Sequence, residues 1–538
     1  MYKKNFPAIA AMLLIASSAF AQTRLSPDGI KLERTLQLIK NLYVDDVHSE
    51  KLTESAIRAM LHDLDPHSQY MNAEEVKEMN EPLRGNFDGI GISFNMLTDT
   101  LYVMEVISGG PSQKVGLMPG DKIIFVNDTL IAGVKMKNKD VIKKLRGEKG
   151  TAVNVRVSRR GTQGLLDFRI VRDKIPIYSI DAAYMIDKNT GYIHLSRFGA
   201  TSTEEFLKAE KELKEQGMKN LIFDLTFNGG GILQTAADII DEFLGEDKLI
   251  VYTEGKNQPR LKHVSTAKGQ FQTGKLVVMV DEGSASASEI LSGAVQDWDR
   301  GVIVGRRTFG KGLVQRQYPL TDSTMIRLTV ARYYTPSGRS IQKPYENGKE
   351  EEYSKDLINR FNNGEMLHAD SIHFPDSLKY TTLVNKRTVF GGGGIMPDYF
   401  VPIDTTSTRL HRALNALGIL NRLSIGEIDN NRKQLLKSYP NVQAFKAKYE
   451  VSQKLLDKLK TLAEGNSIKW DEADFEKSKR IIGVQLKALM ARDLYDSSAF
   501  YAIINDENDI FKESLKIISS DTRYNDLLQG KNRTKNNP

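Results

Sequence analysis

Between residues 191 and 304 short apolar runs alternate with segments of helical period, and this alternation narrows the fold more than any other feature of the 538-residue chain. Gly191 to Leu195, Asn220 to Leu225, Leu276 to Val280 and Val302 to Val304 read as strands. Helical patterns separate them at Thr203 to Gln216, at Leu233 to Leu244 and from about Ser288. Alternation of this kind predicts an α/β layer with parallel pairings, because a parallel connection needs a crossover long enough to hold a helix. Thr324 to Tyr334 adds a further strand. So long a chain exceeds one core and divides into about three or four domains.

The chain opens with Lys3 and Lys4, an apolar run from Ala8 to Ala16, and Ala19-Phe20-Ala21 before Gln22, which reads as a signal peptide over residues 1–21. The apolar run is shorter than the ~20 residues of a spanning helix, and no cysteine follows for a lipid anchor. The chain contains no cysteine at all, which removes disulfides and thiolate metal sites together. Its formal charge of +7 falls to +5 without Lys3 and Lys4, and basic residues are interspersed with nearly as many acidic ones, an arrangement that argues against nucleic acid as a partner. With no later segment of transmembrane length, the expectation is an exported mature chain without a transmembrane anchor. The periplasm is the expected location and secretion the alternative.

Residues 22–84 form an N-terminal helical region, with Leu36, Ile39 and Tyr43, and then Ile57, Leu61 and Leu64, as packing faces. From Gly85 the pattern changes to short strands divided by turns at Gly109-Gly110-Pro111 and Pro119-Gly120-Asp121. The loop Gly89-Ile90-Gly91-Ile92 can turn backbone N–H groups toward a peptide carboxylate, while the strand after it accepts the peptide as an added strand. Residues 346–388 are polar and charged and read as an insertion, after which Phe390 to Gly394 and Pro397-Asp398 close the core over 389–405. In 406–538, Leu410/Leu414/Leu417, Leu455/Leu459/Leu462 and Ile482/Leu486/Leu489 recur at helical spacing and predict a helical domain, ending in a disordered tail from Lys531.

The chemistry concentrates between Gly283 and Gln315. Ser286 precedes the helical stretch Glu289 to Gln296, where unsatisfied amides and the positive end of a helix dipole would stabilise an acyl oxyanion. Asn228-Gly229-Gly230-Gly231, after the strand Leu221 to Leu225, offers a second set of closely approaching amides. Lys311 lies 25 positions after Ser286 and Gln315 four positions after Lys311. A lysine near pKa ~10.4 is almost wholly protonated at neutral pH, so it activates a serine only when burial lowers that value. Gln315 could orient the amine through its carbonyl. Other readings fail on particular residues. Gly305 to Lys311 matches a phosphate loop until Gly312 stands where Ser or Thr should hold magnesium. Gly283-Ser284-Ala285-Ser286 continues with Ala287 rather than the glycine expected of a nucleophile elbow. No metal-binding pattern is present. Asp65, His67 and Ser68 lie too close in sequence to form a triad.

Two resemblances follow. Gly89-Ile90-Gly91-Ile92 with Pro111 to Ile124 is similar to a PDZ domain over 85–175, which implies that Gly89, Ile90, Gly91 and Ile92 bind a peptide C-terminus. The whole arrangement resembles the carboxyl-terminal processing, or tail-specific, proteases from about residue 30 to 402, through Tyr43-Val44-Asp45, Leu64 to Ser68, Gly191-Tyr192-Ile193 with Phe198, Gly283 to Glu289, Thr308 to Gln315 and Ala331 to Ile341. That resemblance implies an α/β protease core of the ClpP/crotonase-like type over 176–345 and 389–405, with an inserted PDZ domain and flanking helical regions. It implies Ser286 as nucleophile, Lys311 as general base, Gln315 as its orienting partner, and the amides of Gly230 and Ala287 as the oxyanion hole, with no cofactor and no metal. The implied partners are proteins and peptides with free C-terminal tails, with an adaptor protein and a homodimer as further options. One departure is Thr226-Phe227-Asn228-Gly229-Gly230-Gly231, where the family has Arg-Asn-Asn-Pro-Gly-Gly. The competing expectation is a PDZ-based binding scaffold whose protease core is inactive or depends on an adaptor.

Overall fold

The alternating segment forms a six-stranded sheet in the order Ile180–Met185, Thr190–Leu195, Asn220–Asp224, Leu276–Val280, Val302–Gly305 and Tyr399–Phe400. The first pairing is antiparallel and the remaining ones are parallel. The computed structural model describes residues 26–97, 99–107, 109–320 and 322–531. The signal peptide expected over 1–21 and the tail beyond Lys531 lie outside the described residues.

Every residue of Thr190–Leu195 and Leu276–Val280 is buried, as parallel strands covered on both faces must be. On one face lie the helices Ser202–Glu215, Leu233–Asp241 and Ala287–Asp297, with Phe206, Phe223 and Phe243 packed edge to face at their centre. The other face is covered by Asp509–Ile518 and Asp521–Leu528, whose Ile510, Phe511, Ile517, Ile518, Tyr524 and Leu527 pack on Tyr192, Ile222, Val277, Met279 and Val302. The last two described helices therefore complete this layer. A separate helical core gathers Leu410, Leu414, Leu455, Leu459, Ile482, Leu486 and Leu489.

A second sheet runs Gln69–Met71, Met325–Tyr334, Leu249–Gly255, Gln258–Val264, with Leu313–Pro319 paired to Met325–Tyr334. The hairpin from Leu249 to Val264 escapes a reading by apolar periodicity because its second strand is mostly exposed and polar.

The strands Ile92–Leu97, Thr100–Val106, Lys122–Val126, Ala152–Ser158 and Leu166–Val171 form an antiparallel sheet in which Ile92–Leu97 is an edge strand, with the helix Asn138–Leu145 beside it. Asn86–Gly89 pairs with Asp173–Pro176, tying together the two points where the chain enters and leaves this unit. The helix Ala73–Arg84 leads into it, started by reciprocal bonds between Asn72 and Glu75 and stopped at Gly85 in the left-handed region. Glu74 on that helix meets Lys139 at 3.1 Å and Lys143 at 3.0 Å on the PDZ-like unit's helix.

The expected packing face of the first helix, Pro27–Leu42, is not buried within the chain: none of its residues is buried and Tyr43 beyond it is 60% exposed. Leu36 and Ile39 are only half-buried, beside the following helix Ser49–His62, so the face is covered in part.

Candidate active site

Ser286 has φ 55° and ψ −111°, a backbone conformation that a non-glycine residue holds only under outside constraint. The constraint comes from two buried side chains. The Glu289 carboxylate accepts the N–H of Ser286 at 2.8 Å, the N–H of Lys311 at 2.9 Å, the N–H of Gly310 at 2.7 Å and the hydroxyl of Thr308 at 2.6 Å. Tyr333 donates its hydroxyl to the Lys311 carbonyl at 2.6 Å and stands 3.2 Å from the Ser286 carbonyl. The serine turn and the lysine loop are thus fastened to each other through their backbones, and their side chains are left to a shared cleft of about 610 Å³.

That cleft is bordered by Ser286, Lys311, Gln315, Gly230 and Ala287, so all five residues expected at the catalytic centre come together. Their bonds differ from the simplest expectation. The Lys311 amine is not hydrogen-bonded to the Ser286 hydroxyl or to any other described residue, and Gln315 donates through Nε2 to Thr329 Oγ1 at 3.3 Å. Gln315 Oε1 is then the free end of its amide.

Burial, with Arg327 nearby, pushes the Lys311 ammonium down to about 8, against smaller opposing pulls from Glu289 and Asp65. Burial also pushes the Glu289 carboxyl up, although its four donors pull the other way.

Gly230 has φ +97°, and a Cβ there would lie 2.8 Å from the Ser286 Cβ and 2.9 Å from the Ala287 nitrogen, so the two loops touch at this glycine. The Gly230 N–H, however, donates to Asn228 Oδ1 at 2.9 Å. Asn228 is fully buried; its Nδ2 donates to the Leu195 carbonyl at 2.8 Å, and its own carbonyl accepts the Ala285 N–H at 3.0 Å and the Ser288 hydroxyl at 2.8 Å. Ala287, the first residue of its helix, has an N–H with no intrahelical acceptor.

Asp65, His67 and Ser68 form no triad, yet they adjoin the lysine. Thr329 Oγ1, the acceptor for Gln315, donates to Asp65 Oδ1 at 3.0 Å, and the Thr329 N–H donates to Ser68 Oγ at 3.0 Å. Burial and the charge on Lys311 push the His67 imidazole down to about 4. Residues 346–388 also reach this side: Arg360 donates to the carbonyls of Thr308 at 2.8 Å and Phe309 at 3.1 Å, and the Tyr353 hydroxyl lies 3.0 Å from His67 Nε2. Sequence reasoning missed the positions of Glu289, Tyr333, Asn228, Thr329 and Arg360. Glu289 carried a signal, since Glu three residues after Ser286 is the spacing of a capping residue.

In the PDZ-like unit, Ile90 and Gly91 turn their carbonyls inward. The Ile90 carbonyl accepts the N–H and hydroxyl of Ser112 at 3.1 and 2.6 Å, and that of Gly91 accepts the Ile107 N–H at 3.0 Å. Gly89 lies in the strand paired with Asp173, and Ile92 begins the edge strand opposite Val106.

Comparison with known proteins gives peptidase family S41 over residues 189–350, a PDZ domain over 89–170, an activating protease CtpB N-terminal domain over 14–75, and a family of unknown function over 410–496. The chain is 35% identical over 316 residues to carboxy-terminal processing protease CtpB of Bacillus subtilis, a match spanning 58% of this chain and 65% of that protein. It is 36% identical over 309 residues to a carboxy-terminal-processing protease of Bartonella bacilliformis, spanning 56% of this chain and 70% of that one. The solved photosystem II D1 C-terminal processing protease aligns with 59% of this chain and 91% of its own, at 27% identity and a TM-score of 0.33. The chain belongs to the carboxy-terminal processing serine proteases of peptidase family S41.

Proposed function

We propose that this protein is a serine endopeptidase in which Ser286 is the nucleophile and Lys311 the general base. The observation that carries the reading is the double fastening of Ser286 to Lys311 through Glu289 and Tyr333, with both side chains opening into one cleft. With its ammonium held at about 8, Lys311 is neutral in about a fifth of molecules at pH 7.4, roughly two hundred times the fraction of an unperturbed lysine. The neutral amine takes the Ser286 proton as the serine oxygen attacks the scissile carbonyl. The same proton then goes to the leaving amine, and an acyl-enzyme remains for water to hydrolyse. Gln315, fixed through Thr329 and Asp65, directs the amine by its free Oε1.

The tetrahedral oxyanion receives the Ala287 N–H. Gly230 supplies a second donor once its N–H is released by Asn228, so productive binding includes a small rearrangement of the Asn228–Gly231 loop. Substrate tails are captured by the loop Gly89 to Ile92 and the edge strand that follows it, the alternate side chains of the peptide being read on either side. The reading of residues 1–21 as a signal peptide supports export of the enzyme, to the periplasm or, as the alternative, by secretion.

The test is cleavage of an unstructured protein with an apolar free C-terminus by the full chain and its Ser286→Ala and Lys311→Ala forms. Loss of cleavage in both variants with retained tail binding is expected. Undiminished cleavage in either would remove the dyad, and tail binding without cleavage by the unaltered chain would favour the scaffold reading.

A further inference from the structure

The cleft beside Ser286 is bordered by three cationic side chains, Arg197, Lys311 and Arg327, and among the described residues that line it there is neither an Asp nor a Glu. The rest of its wall is largely apolar, with Met79, Leu83, Ile232, Ile290, Leu313 and Val314. Lys311 is accounted for by the proposed chemistry; the arginines are not.

Arg197 is only partly exposed, and its guanidinium makes neither a hydrogen bond nor an ion pair with any described residue. Its backbone is fixed close to the reacting serine. The next residue, Phe198, donates its N–H to the Gly230 carbonyl at 3.0 Å and accepts the Ile232 N–H at 2.8 Å. The Arg197 carbonyl itself accepts the Ser202 hydroxyl at 3.2 Å. Arg327, on the strand Met325–Tyr334, donates to Gln69 Oε1 at 3.0 Å and lies 3.4 Å from Met79 Sδ, while its Nε is buried without a partner. A guanidinium stays charged at any working pH, and one held against an apolar wall loses hydration with no return until an anion reaches it. Its planar fork fits a carboxylate in particular.

We propose that Arg197 is a specificity residue that binds a carboxylate of the substrate peptide in the cleft beside Ser286, with Arg327 adding to the positive field there. The inference rests on the reading of this cleft as a peptidase site. The carboxylate is an Asp or Glu side chain near the scissile bond or the peptide's own terminal carboxylate, two sources of one chemistry.

Two sets of internally quenched peptides separate them. In the first, all C-termini are amidated and a single Glu or Gln is placed at each position of an apolar sequence in turn. In the second, the Gln peptides carry free or amidated termini. The full chain and its Arg197→Gln and Arg197→Glu forms are compared by kcat/KM, and the Ser286→Ala chain, with and without Arg197→Glu, by fluorescence anisotropy. The unaltered chain should prefer Glu over Gln at one position, or a free over an amidated tail, by about tenfold. Arg197→Gln should bring that ratio close to one and Arg197→Glu should invert it. Because the readout is a ratio within each variant, partial loss of folded protein does not imitate it. Ratios that Arg197→Glu leaves within twofold in both sets overturn the proposal, including the case in which the PDZ loop alone senses the tail. An unaltered chain that cleaves nothing refutes the peptidase reading instead, and the anisotropy ratios still decide carboxylate recognition.

Discussion

Glu289 Oε2 accepts the backbone N–H of Lys311 at 2.9 Å, a bond from the helix that begins at Ser286 to the loop that carries the lysine. The same oxygen accepts the Ser286 N–H at 2.8 Å, so one buried carboxylate sets the distance between the two halves of the site. Glutamine at this position would turn one acceptor oxygen into an NH2 group facing N–H donors. Glu289→Gln should lower kcat by about a hundredfold, as a displacement near 1 Å does, and lower stability by about 2 kcal/mol. Single-turnover rates and thermal unfolding measure the two effects. An unchanged kcat would show that Glu289 does not set the geometry.

The pH dependence follows from Lys311. In the proposed mechanism the base works as the neutral amine, so the rate should climb with pH through about 8 and level off above it. The same burial makes a stability claim with a definite sign. Between about 8 and the ordinary lysine value of 10.5 the unfolded chain holds a proton that the folded chain does not, so this residue makes stability rise with pH across that window. Below the window the folded protein bears the whole penalty. Lys311→Met should therefore be inactive yet more stable by about 2 kcal/mol at pH 7, allowing for partial exposure, with the advantage fading by pH ~10.5. Equal unfolding midpoints at pH 7 would refute the burial of the charge.

His67 gives a second test, of the same sign, at acid pH. Its imidazole is held at about 4 against an ordinary 6.5 by burial first and by Lys311 second. The stability tied to the neutral ring is present above 6.5 and is lost as pH falls toward 4. His67→Gln should flatten the stability profile between these values, and a profile as steep as that of the unaltered chain would contradict the assignment.

The sequence showed the central layer well because parallel strands covered on both faces must be apolar throughout, as Leu276–Val280 is. That Ser286, Lys311 and Gln315 would meet in one cleft was legible for a different reason, since the chemistry proposed for them calls for these residue types. Backbone bonds hide from such a reading. Asn228 holds the Gly230 N–H and Tyr333 joins two carbonyls, and neither role leaves a pattern in residue type or spacing. Partner surfaces are hidden likewise. The helical period of Asp509–Ile518 is plain, but period alone does not tell whether Ile510 and Phe511 face other helices or the back of the sheet.

That last packing has a direct consequence. A chain ending at Asn505 would lose both helices that cover Tyr192, Ile222, Val277 and Val302. Ile510, Phe511, Ile517, Ile518, Tyr524 and Leu527 are all buried there, and at about 2 kcal/mol for each large apolar side chain their removal is worth as much as the whole stability of a typical domain. The truncated chain should fail to fold or aggregate, including its catalytic core. A soluble, active product would mean that the two helices are accessory.

Residues 346–388 reach the catalytic loop through Arg360, which is almost wholly buried and donates to the Thr308 and Phe309 carbonyls while pairing with Asp356 at 3.0 Å. The same Asp356 meets Lys343 at 3.0 Å, and Lys343 stands over the rings of Phe309 at 4.1 Å and Tyr353 at 3.9 Å. Thr308 and Phe309 directly precede Gly310 and Lys311, so whatever holds these carbonyls holds the direction in which the lysine leaves its loop. Arg360→Met keeps much of the buried length and removes the donors, leaving two carbonyls without partners, a change of about 2 to 4 kcal/mol in stability. If the segment only braces the fold, kcat per folded molecule will be unchanged and the pH at which the rate levels off will stay where it was. If it positions the base, kcat should fall about tenfold or more with KM little altered, and the alkaline rise should shift as Lys311 samples a wetter environment. Arg360→Lys, which restores one donor and the charge, should recover part of kcat in the second case.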